Sequence, residues 1–235
     1  MRIFSGLLSG FLLILLVSGC TSPKKIKTLN LQYVPAGQAS VPASLRVALV
    51  MPQYTGSQPG EMDIEKEPGP DDSIPRIYRD EYLPNIQASL LLNLKKILIS
   101  KGFTVGKSYS SLEKITDQEK QSTDIIVITT FDFAPQVNNN QTITSFPTTG
   151  YRSAGNQGTL QFVGFLKMQF LDSRSGKVLV SKTIDVGSLS SEVEYEEKEE
   201  AEYQCLLMLN GLYPELMKRI DKSIDAKELI TAQRN

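Results

Sequence analysis

The chain has 235 residues, 25 Lys and Arg against 26 Asp and Glu, and no histidine. A formal charge of −1 leaves no cationic footprint for nucleic acid and no strongly basic membrane patch. The missing histidine removes Ser-His and Cys-His catalysis and the commonest nitrogen ligand for metals.

The N-terminus carries the sharpest signal. Arg2 precedes a mostly apolar stretch from Ile3 to Val17, which ends in Val17-Ser18-Gly19-Cys20. A charged start, a short apolar region and small residues before a cut describe a secretory signal over residues 1–19. The stretch is shorter than the roughly 20 residues that span a bilayer, and no other segment is long and apolar enough. Residues 20–28 then read as a short polar tether. Of the two cysteines, Cys205 lies in an apolar stretch and reads as a buried small side chain.

Leu29, Leu31 and Tyr33 alternate with polar residues, which predicts a half-buried strand. Residues 45–51, "LRVALVM", are almost continuously apolar and predict a central strand. Residues 52–79 hold five prolines and three glycines and predict a long loop. From Asp80 to Lys101 the apolar residues Leu83, Ile86, Leu90, Leu94, Ile97 and Leu98 recur at helical spacing, with Pro84 in the first turn and Gly102 as the stop. A short strand over "FTV", a weak helix over 110–120 and a buried strand over 124–133 follow.

Residues 136–158 are polar and predict a second long loop. "TLQFVGFLKMQFL" and "KVLVSKTIDV", joined by "DSRSG", predict an antiparallel hairpin. A final helix is predicted from near Ser191, acidic at its start and basic later, with a break or kink at Gly211 and Pro214. Residues 227–235 read as a flexible tail.

These elements predict a single α/β domain over 29–226 with a mixed sheet flanked by helices, in the order β-β-α-β-(α)-β-β-β-α, with two long polar loops. Strands 45–51 and 124–133 should run parallel, so that both loops leave one edge of the sheet, where ligands bind in open α/β sheets. Phe146, Tyr151 and Arg152 in the second loop are the candidate contacts, because aromatic and Arg side chains anchor recognition. Asp132, Asp172 and Asp185 are scattered over predicted strand or turn positions and read as solvated or capping residues rather than a catalytic pair. There is no Walker-type loop and no GxGxxG, and nothing points to a metal or a cofactor, so the expectation is a binding protein and not an enzyme.

Several stretches together resemble the neuraminyllactose-binding hemagglutinin family, the Helicobacter adhesin A lipoproteins. They are the tetrad ending in Cys20, "LNLQYVPA" at 29–36, "VALVMPQY" at 47–54, "KGFTV" at 101–105, "GFLKMQFLDSRSGKVL" at 164–179 and "LNGLYPELMKRIDKSI" at 209–224. The tetrad itself resembles the bacterial lipobox. The resemblance implies a lipid-anchored protein of the cell outer membrane or flagellar sheath, with diacylglycerol on the Cys20 sulfur and an amide-linked acyl chain such as palmitate. Two or more chains anchor stably. Thr21 stands where the inner-membrane retention signal has Asp. The implied role is adhesion through a host glycan. The family's basic Lys-Arg-Thr element is matched here by Asn140-Gln141-Thr142, which keeps hydrogen-bond donors for a sialate but lacks the charge-assisted contact. The competing expectation is a periplasm-facing assembly lipoprotein whose partner is another envelope protein, docked on the acidic segment 192–202.

Overall fold

The computed structural model describes residues 28–37, 45–56, 73–139, 143–145, 152–154, 158–196 and 198–234. A mixed sheet lies at its centre. Strands β1 (Arg46–Val50), β2 (Gln53–Tyr54), β3 (Thr104–Tyr109), β4 (Ile125–Phe131), β9 (Phe165–Asp172) and β10 (Val178–Asp185) make it, in the order β10-β9-β4-β1-β3, with β2 beside the end of β4. β1 runs parallel to both β3 and β4, as crossover connections require, and β9 and β10 are antiparallel to their neighbours.

Helices α2 (Leu83–Ser100) and α4 (Lys198–Ser223) cover one face of this sheet. The α2 stripe buries Ile86, Leu90, Leu94, Ile97 and Leu98 against Val47, Leu49, Ile125 and Val127. Gly102 ends α2 at φ 90°, while the Phe103 N–H donates to Leu98 O at 3.1 Å, closing the last turn. The other sheet face holds a smaller cluster of Ala48, Val50, Ile115, Ile126 and Leu171. It lies under a 3₁₀ turn (Leu112–Lys114), and the short helix α3 (Asp117–Gln121) follows, with Thr116 and Glu119 forming a capping box at its start.

A second sheet, in the order β11-β8-β5, joins β5 (Ala134–Asn139), β8 (Gly158–Val163) and β11 (Val193–Tyr195). The run predicted as one strand over 159–171 is thus two strands in two sheets. Gly164, at φ 116°, makes the corner. A Cβ there would lie 2.6 Å from Phe133 Cα, so only glycine lets the two backbones approach. The corner keeps the side-chain alternation: Leu160 and Phe162 before it and Leu166, Met168 and Phe170 after it all enter one core.

Five further expectations are corrected. Residues 29–33 are not a strand but an extended strap bridging α2 and α4. Leu31 is buried as the alternation implies, yet its carbonyl accepts from Asn93 Nδ2 at 2.8 Å and not from a strand. The helical run begins at α1 (Ser73–Ile77), inside the segment expected to be loop, and passes through a π turn (Tyr78–Tyr82) into α2. The π turn sits next to Pro84, where the missing N–H and the ring disfavour α-helical geometry. The final helix starts at Lys198, because residues 193–195 are taken up as β11 by pairing with β8. α4 passes through Pro214 without a break and stops only at Ile224. The expected tail is α5 (Ala226–Arg234), started by Asp225 Oδ1 accepting the Lys227 N–H at 2.8 Å and seated by buried Leu229.

Candidate functional site

The two parallel strands do leave from one edge. Beyond β1 the chain turns beside β4, where Gln53 faces Thr130 and Tyr54 faces Phe131. The Thr55 N–H donates to Phe131 O at 2.8 Å, so the connections after β2 and β4 start side by side. An aromatic floor lies beneath that point. Tyr54 meets Phe131 edge to face at 5.5 Å and Tyr78 at 6.5 Å, and Tyr78 meets Phe162 at 6.0 Å. The π turn aims Tyr78 inward, and its hydroxyl donates to Phe133 O at the start of the second sheet. Burial pushes the Tyr78 hydroxyl well above its ordinary pKa, so it stays a donor at any physiological pH.

Within the stretch 136–158, expected to be loop, the described residues form antiparallel strand pairs. β5 pairs antiparallel with β8, and β6 (Ile143–Ser145) pairs with β7 (Arg152–Ala154). Asn139 faces Gly158; four residues further along each strand Ile143 faces Ala154, so one register runs through both pairs. Val137 and Leu160 turn one face of the ribbon to the core, while Gln136 and Asn138 are exposed on the other. The polar residues hid a two-residue period that is nonetheless present. Pro135 is tolerable because β5 is an edge strand of its sheet.

Of the candidate ligand residues, Arg152 is in β7, with its backbone opposite Ser145. Asn140, Gln141, Thr142, Phe146 and Tyr151 lie outside the described residues, as does Cys20. All but Cys20 fall, in sequence, between Asn139 and Gly158.

The three aspartates each hold a turn. Asp132 Oδ1 accepts the Phe165 N–H at 2.6 Å beside the Gly164 corner. Asp172 Oδ1 accepts the Ser175 hydroxyl and N–H, both at 2.6 Å, and Oδ2 accepts from Gln233 Nε2. The Ser175 contacts and the others hold the Asp172 carboxyl down to about 2. Asp185 Oδ1 accepts the Ser188 N–H at 3.4 Å. Cys205 is buried, and burial pushes its thiol up to about 12. Among the described residues no three His, Cys, Asp or Glu side chains are grouped to hold a metal ion, and no helix is long and apolar enough to cross a membrane. An open groove of about 470 Å³ between β10 and α5, lined by Leu179, Val180, Lys227 and Thr231 among others, involves none of the candidate residues.

Sequence reasoning missed the polar latch under the strap. Asn93, buried in α2, donates to Leu31 O and to Tyr213 Oη at 3.0 Å. Asn210 Oδ1 accepts the Asn30 N–H at 2.7 Å. Asp221 accepts the Tyr33 hydroxyl at 2.9 Å and the Ala36 N–H at 3.2 Å, and pairs with Lys101 at 2.9 Å. Burial pushes the Asp221 carboxyl up, but Lys101 and these two donors outweigh it and hold it below the usual range. The visible signal was an asparagine interrupting an apolar helix stripe.

The class defined by this arrangement is a single α/β domain with a mixed sheet, one helical layer and an antiparallel ribbon. That fold is shared with the crystal structure of a neuraminyllactose-binding hemagglutinin homolog from Helicobacter pylori: TM-score 0.61 and 18% identity, covering 88% of this chain and 96% of that one. Weaker likeness extends to a Xanthomonas campestris protein of a family of unknown function (TM-score 0.38, 11% identity, 88% and 95% covered). It extends also to a lipoprotein from Neisseria meningitidis (TM-score 0.32, 13% identity, 69% and 92% covered). No family model matches the chain, and no curated protein matches it.

Proposed function

We propose that this chain is an envelope lipoprotein of the hemagglutinin type, held by acyl chains on Cys20, whose folded body binds a surface partner through the β5–β8 ribbon and its β6–β7 extension. The observation that carries the reading is the shared fold with the hemagglutinin homolog over nearly its whole length, in a chain that also places Val-Ser-Gly before Cys20. The ribbon exposes amide side chains, which suit hydroxyl-rich glycans. At positions 140–142 the chain offers amides and a hydroxyl without a cation, so neutral glycans fit it better than sialylated ones, with Arg152 as the nearby charge. Thr21, standing where the inner-membrane retention signal has Asp, supports an outer-membrane location.

A second reading is favoured by β11. This strand pairs with β8, carries exposed Glu192 and Glu194 around it, and would present acid to a basic envelope protein on the periplasmic side. Two measurements separate the readings. Mass spectrometry of the mature N-terminal peptide should find acylated Cys20; a free thiol or a retained leader refutes both. Glycan-array binding that is lost in Arg152→Ala, together with protease cleavage on intact cells, supports the adhesin. No glycan binding and protection until the outer membrane is opened would turn the conclusion to the assembly factor.

A further inference from the structure

The strap fixes where the lipid-bearing tether joins the body, and that has a consequence for orientation. Thr28 O accepts from Asn210 Nδ2 in the middle of α4, and the strap then runs to Asp221 near its end. Only residues 21–27 separate Cys20 from Thr28, and the eight steps between them reach at most about 26–29 Å. A tether this short keeps the strap side of the helical layer within reach of the bilayer.

That surface has the chemistry of an interfacial contact. At 3.6 residues per turn, Leu92, Lys96 and Ile99 fall within about 60° of one another, opposite buried Leu90, Leu94 and Ile97. Leu92 is 54% exposed, Ile99 53% and Val34, on the strap, 84%. α2 contains two lysines and no acid. On α4, Gly211, Lys218 and Lys222 share an exposed arc whose acid in the same half, Glu215, is paired to Lys218. The acid Glu81, in the π turn before α2, and Glu200, in the first turn of α4, lie away from these C-terminal halves. Exposed apolar side chains among lysines, next to the tether, match an anionic headgroup layer: lysines take the phosphates and the apolar tips enter the acyl boundary.

We propose that the C-terminal halves of α2 and α4, with Val34 between them, rest on an anionic phospholipid surface, leaving the far sheet face pointing away from it. The proposal rests on Cys20 being the anchor. Phe165 provides the contrast: it is 51% exposed, and since Leu166 enters the helix-side core, Phe165 points to the opposite face of β9.

The chain has no tryptophan, so one introduced indole is a clean reporter. The lipidated mature protein carrying Leu92→Trp, Ile99→Trp or Phe165→Trp is reconstituted in vesicles of phosphatidylcholine and phosphatidylglycerol with brominated acyl chains. Bromine should quench positions 92 and 99 at least twofold more than 165. A Lys96→Glu/Lys218→Glu/Lys222→Glu variant should lose that difference while still floating with the vesicles. Equal quenching at 92, 99 and 165, or stronger quenching at 165, in protein that floats with the vesicles overturns the orientation and leaves the anchor standing. Lipidated protein that does not float overturns the anchor, and the orientation with it.

Discussion

Replacing Asn93 by leucine tests whether the strap is part of the folded core. Leucine is close in size and suits the surrounding apolar stripe, so packing is little changed. What is lost is the Nδ2 donor shared by Leu31 O and Tyr213 Oη at 2.8 and 3.0 Å, in a site only 1% exposed. Each buried acceptor left without a donor costs about 1–3 kcal/mol, so Asn93→Leu should destabilise by about 2–6 kcal/mol. With a urea slope of about 2 kcal/mol/M, that moves the unfolding midpoint down by about 1–3 M. Tyr213→Phe removes one of the stranded acceptors. The double variant should accordingly be less destabilised than the sum of the singles, with a coupling of about 1 kcal/mol. Urea denaturation of the four proteins at pH 7, followed by far-UV circular dichroism, measures all of this. A loss under about 0.5 kcal/mol for Asn93→Leu, or strict additivity in the cycle, would refute the account of the strap as a buried, hydrogen-bonded element.

Two further outcomes are expected. Gly164→Ala forces a side chain into φ 116° and onto the Phe133 backbone, which should cost about 2 kcal/mol or more and lower the thermal midpoint; an unchanged midpoint would show that the corner relaxes freely. Asp172 has a folded-state pKa of about 2 against an ordinary 3.8, so its contribution is complete above about pH 4 and fades as pH falls through 2. The stability gap between the parent and Asp172→Asn should therefore narrow between pH 5 and pH 2, and a constant gap would exclude the carboxylate as the cause.

The central strands, α2 and the β9–β10 hairpin were legible in the sequence because each pairs strong apolar periodicity with a stop signal: Gly102 after α2, and Asp172 to Gly176 between the strands. Parallel exit of β1 and β4 followed from topology alone. The misreadings share a cause. Residues 29–33 have strand periodicity, but where an extended segment docks depends on partners distant in sequence, here Asn93, Asn210 and Asp221. Residues 134–139 form a strand through pairing with β8 in spite of Pro135 and three amides, since on an edge ribbon only one face needs to be apolar. Gly164 read as one residue within a strand, although an isolated glycine there is a known sign of a bend. Within the candidate site, Arg152 is assigned to β7, and the other five ligand candidates lie outside the described residues.

The glycine corner makes β8 and β9 one uninterrupted mechanical member. A partner tugging on the β6–β7 tip would load β8 along its length, and the pull would pass round Gly164 into β9 and its seven paired positions with β4. From β4 the tension reaches the helical layer and the strap at its far side. The route from such a grip to the strap thus crosses the buried core of the molecule.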